Sequence, residues 1–326
     1  MASKIRIGMV GTAHPHAPGK LGVLKGSPDF ELAGVFEADA DLYAGRGKEK
    51  AFADVRWVCE DELLSDKTVQ AIVVEGQVRE NVSAARRAIE AGKHVHLEKP
   101  GGTSLEGFRA LLGAASERGL IVQMGYMFRY NPAFQLLFRA AREGWLGDIF
   151  FIRGRIGTSV NPDKRRGLAE FAGGMMFELG CHLLDSVVAL LGAPRKVTPF
   201  LRADGGIADG LADNTLAVFE FDRAAAVLES AAMEVEPFPH RNLCVYGTKG
   251  SVIIEPLEPP ALQLCLSMPA AGFKKGWQGV PVENRPRYIA DFEELARCIR
   301  TGAPLSWRSS HDLAVQEALL WACGVA

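Results

Sequence analysis

The chain has 326 residues, 48% hydrophobic and 23% charged, with a formal net charge of −2. That is enough apolar chain for two buried cores, and two domains fit the length. With no long basic stripe, nucleic acid is not an expected partner. No run of about 18 apolar residues and no signal peptide is present, so no membrane partner is expected and the location is read as cytoplasmic. The 6 cysteines show no CxxC spacing and read as reduced, mostly buried thiols.

Lys4–Gly11 is a short β-branched run that ends in glycine, and Thr12–Ala17 separates it from a helix opening at Pro18. Strand, tight turn and helix start are the setting of a dinucleotide fingerprint. Gly11 takes the place of its first glycine, Ala13 of the second and His16 of the third. The second glycine normally gives room for backbone to approach a pyrophosphate, so Ala13 puts a methyl group in a tight place.

A second strand, Glu31–Phe36, ends at Glu37, 26 positions after Gly11. An acidic residue roughly 20 positions after the fingerprint suits the adenosine ribose hydroxyls. Ala38, Asp39, Ala40 and Asp41 follow, with no adjacent cation for a 2′-phosphate, so the sequence favours NAD over NADP.

Val69–Val74 reads as a buried parallel strand, Asn81–Ala91 as an amphipathic helix closed by Gly92, and His94–Leu97 as the next strand. Glu98-Lys99-Pro100 follows, placing an amine at the carboxyl end of a strand, where doubly wound sheets keep their ligand crevice. Helix Leu105–Arg118 and strand Leu120–Tyr126 complete the alternation. The fold class is therefore α/β, with an N-terminal Rossmann doubly wound parallel sheet over residues 1–125.

The second half, 126–326, reads as an α+β domain for substrate binding and oligomerisation, on a mostly antiparallel open sheet. Its strand-like runs are Asp148–Arg155, Leu211–Phe221, Ala224–Glu234, Leu243–Tyr246 and Ser251–Ile254. Helices are expected at Asn131–Trp145, Met175–Leu191, Arg287–Thr301 and Ser310–Cys323, the last two free to pack on either domain. Lys164-Arg165-Arg166 and Lys274-Lys275 read as loop charges.

Glu98-Lys99-Pro100 after Gly92-Lys-His-Val95, with Gly173-Gly-Met-Met-Phe-Glu-Leu-Gly-Cys-His182 and Asp185, resembles the glucose–fructose oxidoreductase/inositol dehydrogenase (Gfo/Idh/MocA) family. Gly125–Pro132 is similar to the family segment joining the domains. The resemblance implies NAD(P)-dependent oxidation of a secondary alcohol on a sugar, inositol or related polyol, by a homodimer or homotetramer. It implies that Lys99 binds the substrate hydroxyl, that His182 is the general base or acid, and that Glu178, where the family usually has Asp, orients His182 or substrate. Arg129 and Asp185 join Lys99 and His182 as expected substrate ligands. The cofactor set is Gly11, Thr12, Ala13, His14, Glu37, Glu98 and Pro100.

Independently of the family, helical spacing puts Glu178, His182 and Asp185 on one face amid apolar residues. An imidazole titrating near neutrality suits proton transfer from a carbinol, and an ammonium suits a developing alkoxide. No metal is expected, although His14 and His16, or His94 and His96, have i, i+2 spacing. The rival readings are a turnover-deficient ligand sensor, and elimination or hydrolysis of a sugar derivative through a transient ketone.

Overall fold

The computed structural model describes residues 3–325, in two compact units. One ends at Met127 and takes in Pro286–Leu313; the other comprises Phe128–Arg285 and the chain from Ala314 onward.

The first unit is built on five strands, β1 (Ile5–Val10), β2 (Phe30–Phe36), β3 (Val69–Val74), β4 (His94–Leu97) and β5 (Val122–Met124). They form a parallel sheet of order β2-β1-β3-β4-β5. Its connections carry α1 (Ala17–Gly26), α2 (Ala40–Arg46), α3 (Glu60–Ser65), α4 (Val78–Glu90) and α5 (Leu105–Glu117). The short, polar α2 and α3 are absent from the sequence reading. Ala71–Val74, Val95 and Leu97 are inaccessible to solvent, which is why these strands read as apolar runs rather than alternations. The strand order reverses between β1 and β3, where open α/β sheets form their crevice.

Gly11 leaves β1 with φ +78, and a Cβ on it would stand 2.4 Å from the Gly76 Cα. Only glycine meets both demands. Gly11→Ala is expected to lower stability by about 2 kcal/mol or more, read as a fall in Tm; an unchanged Tm would mean that the two loops do not approach in this way.

The second unit has eight strands, β6 (Ile149–Arg155), β7 (Lys196–Arg202), β8 (Asn214–Glu220), β9 (Ala225–Ala231), β10 (Asn242–Gly247), β11 (Gly250–Ile254), β12 (Leu262–Leu266) and β13 (Gly276–Val280). Their order is β13-β12-β11-β10-β6-β9-β8-β7, antiparallel throughout except for the parallel pair β6–β9. This is the mostly antiparallel sheet expected. Its helices are α6 (Pro132–Arg142), α7 (Pro162–Ala169) and α8 (Cys181–Leu191). Ala217 and Phe219 on β8 and Ala226 and Leu228 on β9 alternate into a core, and Leu183, Leu184 and Val187 of α8 are equally buried. Phe150, Phe200 and Trp277 stay exposed. Lys164–Arg166 proves to be helical, within α7, and Arg165 is buried against Asp209 and Asp213 at 2.5 and 2.8 Å.

Two further helices complete the chain, α9 (Ile289–Thr301) and α10 (Ser309–Ala322). The α9 helix packs on the parallel sheet: Gln123 Nε2 donates to the Asp291 carbonyl at 3.0 Å, and Phe292 meets Phe30 edge to face. All six cysteines are free; Cys59 is exposed, Cys265 half-buried and the others buried. Among the described residues no helix is long and apolar enough to cross a membrane.

Candidate active site

Register alone assembles the candidate residues of the first unit. Phe36, Val10, Val74, Leu97 and Met124 lie level across the parallel sheet. The residues that follow them, Glu37, Gly11, Glu75, Glu98 and Gly125, therefore emerge together at the carboxyl edge. Three of the five are acids.

Glu37 binds the first loop. Its Oε2 accepts from the Thr12 amide at 2.7 Å and from Thr12 Oγ1 at 2.6 Å, and its Oε1 accepts from the Asp39 amide at 3.0 Å. Arg46 on α2 braces the same loop, donating from Nη2 to the Thr12 carbonyl at 2.6 Å and from Nη1 to Glu49. Sequence reading missed Arg46 because it lies ten positions beyond the end of β2, at the far end of α2.

Behind the loop is a buried polar cluster. Lys20 Nζ donates to Glu75 Oε1 and Glu98 Oε2, each at 2.5 Å, and all three residues are fully buried. His16 Nδ1 donates to Glu98 Oε1 at 3.1 Å. His14 Nδ1 accepts the His16 amide at 3.2 Å and lies 3.5 Å from the same Glu98 oxygen. Tyr288, at φ +70 before α9, lays its ring 5.5 Å from that of His16 and 5.6 Å from Lys20 Nζ.

Burial opposes charge throughout this cluster, and neighbours decide which groups keep it. For Lys20, burial is outweighed by Glu75 and Glu98, which raise the ammonium above its ordinary value. For Glu98, burial is outweighed by His14, Lys20 and His16, which hold the carboxyl well below the usual carboxylate range. Glu75 is less well compensated, and burial pushes it up to about 8. Burial brings His16 down to about 4, so its contact with Glu98 is a hydrogen bond from a neutral ring rather than an ion pair.

Lys20 and Glu75 were not anticipated, yet both left a signal. Lys20 stands four residues after His16, inside an otherwise apolar helix face, and Glu75 ends a buried strand as Glu37 and Glu98 do. Of the other expected cofactor contacts, Thr12 and His14 are buried, Gly11 and Ala13 half-buried, and Pro100 buried. Lys99, 1% exposed, follows Glu98 and precedes a cis peptide to Pro100.

The second unit holds the other expected residues. Gly173 and Gly174 have φ +80 and +45, and a Cβ on Gly174 would stand 2.4 Å from the Ala212 carbonyl. This tight corner opens into a π-helical turn, Met176–Gly180, that runs directly into α8. Glu178 therefore lies on the wider turn and His182 on the α-helix. The pair straddles a change of helix type instead of riding one regular α-helix, as spacing predicts. π-turns inside helices recur at functional sites. His182 is buried, with Phe128 edge to face at 5.9 Å, and Glu178 is half-buried.

Arg129 and Asp185, both expected against substrate, meet each other. Arg129 Nε lies 3.1 and 3.0 Å from the two Asp185 oxygens, and Nη2 lies 2.6 Å from Oδ1, with both side chains buried. This bidentate pair ties α8 one turn beyond His182 to the segment before α6.

Two family profiles match this architecture, one described as an oxidoreductase family with an NAD-binding Rossmann fold over residues 5–126, the other as the GFO/IDH/MocA C-terminal domain over 134–253. The chain belongs to the Gfo/Idh/MocA oxidoreductase family. It is 24% identical over 323 residues to an uncharacterized oxidoreductase, ORF334, of Rhizobium meliloti, covering 97% of this chain and 95% of that one. It is 27% identical over 259 residues to scyllo-inositol 2-dehydrogenase (NAD(+)) of Bacillus subtilis, covering 74% and 70%. Its fold superposes on the crystal structure of GenD2 from gentamicin A biosynthesis in complex with NAD, with TM-score 0.80, 24% identity and coverage of 100% and 95%. The N-terminal unit is thus an NAD(P)-binding Rossmann domain within an oxidoreductase.

Proposed function

We propose that this family member is an NAD-dependent dehydrogenase acting on a secondary alcohol of a sugar, inositol or similar polyol. The observation that carries the reading is the alignment of Glu37, Gly11 and Glu98-Lys99 at one carboxyl edge, with a buried imidazole on a π-to-α junction in the second unit. The residues fit a dinucleotide: Gly11 turns left-handed with no room for a Cβ, and Glu37 ends β2 with an acid for the ribose. Gly11, Thr12, Ala13, His14 and Glu37 would hold it, with Glu98 and Pro100 flanking Lys99. The Arg46 guanidinium is committed to loop carbonyls and Glu49, so its charge serves the loop rather than a 2′-phosphate.

The bound nicotinamide supplies the hydride chemistry. Lys99 steadies the substrate oxygen as negative charge grows on it. His182 Nε2 or Nδ1 takes the hydroxyl proton, and Glu178 orients the ring or the substrate. Arg129 and Asp185 keep α8 in place. Relatives named for inositol and dihydrodiol oxidation support the polyol class. A homodimer or homotetramer through the exposed sheet residues completes the proposal.

Titration of the purified protein with NADH and NADPH, followed by nicotinamide fluorescence, tests the cofactor. Saturable NADH binding, at least about tenfold tighter than NADPH, is expected. Preference for NADPH overturns the role of Glu37, and binding of neither by folded protein overturns the dehydrogenase reading. In a polyol screen, Lys99→Ala is expected to lower kcat by about 10²–10³-fold while leaving NADH binding intact.

A further inference from the structure

We propose that the carboxyl edge of the parallel sheet holds a divalent first-row transition-metal ion, ligated by His14, His16 and Glu98 with Glu75 as a fourth donor. The proposal goes beyond the dehydrogenase reading and does not depend on it.

Among the described residues, His14, His16 and Glu98 each offer one donor atom, and these atoms lie within 4.8 Å of one another. Glu98 Oε1 is the hub, 3.1 Å from His16 Nδ1 and 3.5 Å from His14 Nδ1. Glu75 Oε2 lies 4.0 Å from His14 Nδ1. Ligands about 2.1 Å from a tetrahedral ion stand about 3.4 Å apart, so small side-chain shifts would close these separations around one ion.

Lys20 organises the site. It takes Glu98 Oε2 and Glu75 Oε1, leaving the other oxygen of each carboxylate turned to the imidazoles. Glu75 is fully buried, and its Oε2 has no hydrogen-bond partner. A buried carboxyl oxygen with no hydrogen-bond partner is costly, and a cation is one way to satisfy it. The backbone is rigid where it matters, because Glu75 and Glu98 end adjacent strands and the two histidines are closed into a turn by the His16 amide. His16, at 15% side-chain exposure, gives access from solvent. Two imidazoles with carboxylate suit Zn²⁺, Fe²⁺, Co²⁺ or Mn²⁺ rather than Mg²⁺ or Ca²⁺. Such an ion would tie the first loop to the ends of β3 and β4, next to Lys99.

Full-length protein stripped with EDTA and titrated with Co²⁺, followed by visible d–d absorption and calorimetry, tests this. One Co²⁺ per chain, displaced by Zn²⁺, is expected. His16→Ala should weaken binding at least about tenfold with unchanged circular dichroism, and His240→Ala, at an exposed position on a short 3-10 turn of the second unit, should leave it alone. Glu98→Gln, nearly isosteric, should act as His16→Ala does. Folded protein that binds no Co²⁺ at about 100 µM, well above the dissociation constants of built transition-metal sites, overturns the proposal. So does unchanged Co²⁺ affinity in both ligand variants.

Discussion

Lys20→Met is expected to destabilise the protein by about 4 kcal/mol at pH 8, because removing one member of a buried ionic group leaves the other charges uncompensated. Lys20 is the cation shared by Glu75 and Glu98, at 2.5 Å from each, with no solvent access for any of the three. Methionine fills the same volume, so the effect is one of charge rather than a cavity. The loss should shrink as pH falls. Burial already raises the Glu75 carboxyl above its unfolded value, and removing Lys20 takes away the largest of the effects that oppose this. Such a group contributes stability below the unfolded value near 4.5 and withdraws it as pH rises through the folded one. Urea melts of wild type and variant at pH 8 and pH 5, in EDTA, measure this. Lys20→Met/Glu75→Gln should recover part of the loss, since it removes one of the stranded acids. Equal midpoints for wild type and Lys20→Met at pH 8 would mean that the cluster is not assembled as described.

Arg129→Met is expected to cost about 3–5 kcal/mol, for a related reason in the second unit. It removes the buried guanidinium that meets both oxygens of Asp185, itself inaccessible to solvent. Asp185 is one turn beyond His182, so the helix carrying that imidazole should loosen with it. Thermal melts give the stability, and Arg129→Met/Asp185→Leu should recover much of it, since an apolar pair can replace a buried ionic one. If Arg129 and Asp185 served substrate instead, Arg129→Lys would raise KM and leave Tm unaltered. A conserved Tm in Arg129→Met itself would dismiss the clamp.

Much of the fold was legible along the chain. β1, β3 and β4 are buried on both faces and so announce themselves as apolar runs, while β8 and β9 face a core on one side and alternate. The elements that escaped had weak local signals. β7 is an edge strand that contains Pro199, a residue that argues against a strand unless one edge is unpaired. β13, at the other edge, has glycine at two of its five positions. α7 is eight mostly polar residues, Pro162–Ala169, whose one buried charge, Arg165, is held by acids more than 40 positions away.

The candidate site divides along the same line. Local order in the chain was enough to place Gly11, Glu37 and Glu98-Lys99 at strand ends and Glu178, His182 and Asp185 on a helical segment, because each depends on neighbours a few residues away. What those side chains meet was decided by tertiary structure. Sheet register brought Glu75 and Glu98 level, so that Lys20, 55 and 78 positions distant, bridges them. A π-turn altered the relation of Glu178 to His182, and folding paired Arg129 with Asp185 across 56 positions. Periodicity reports which face of an element is buried, whereas the partner of a buried charge is set by the packing of elements far apart in sequence.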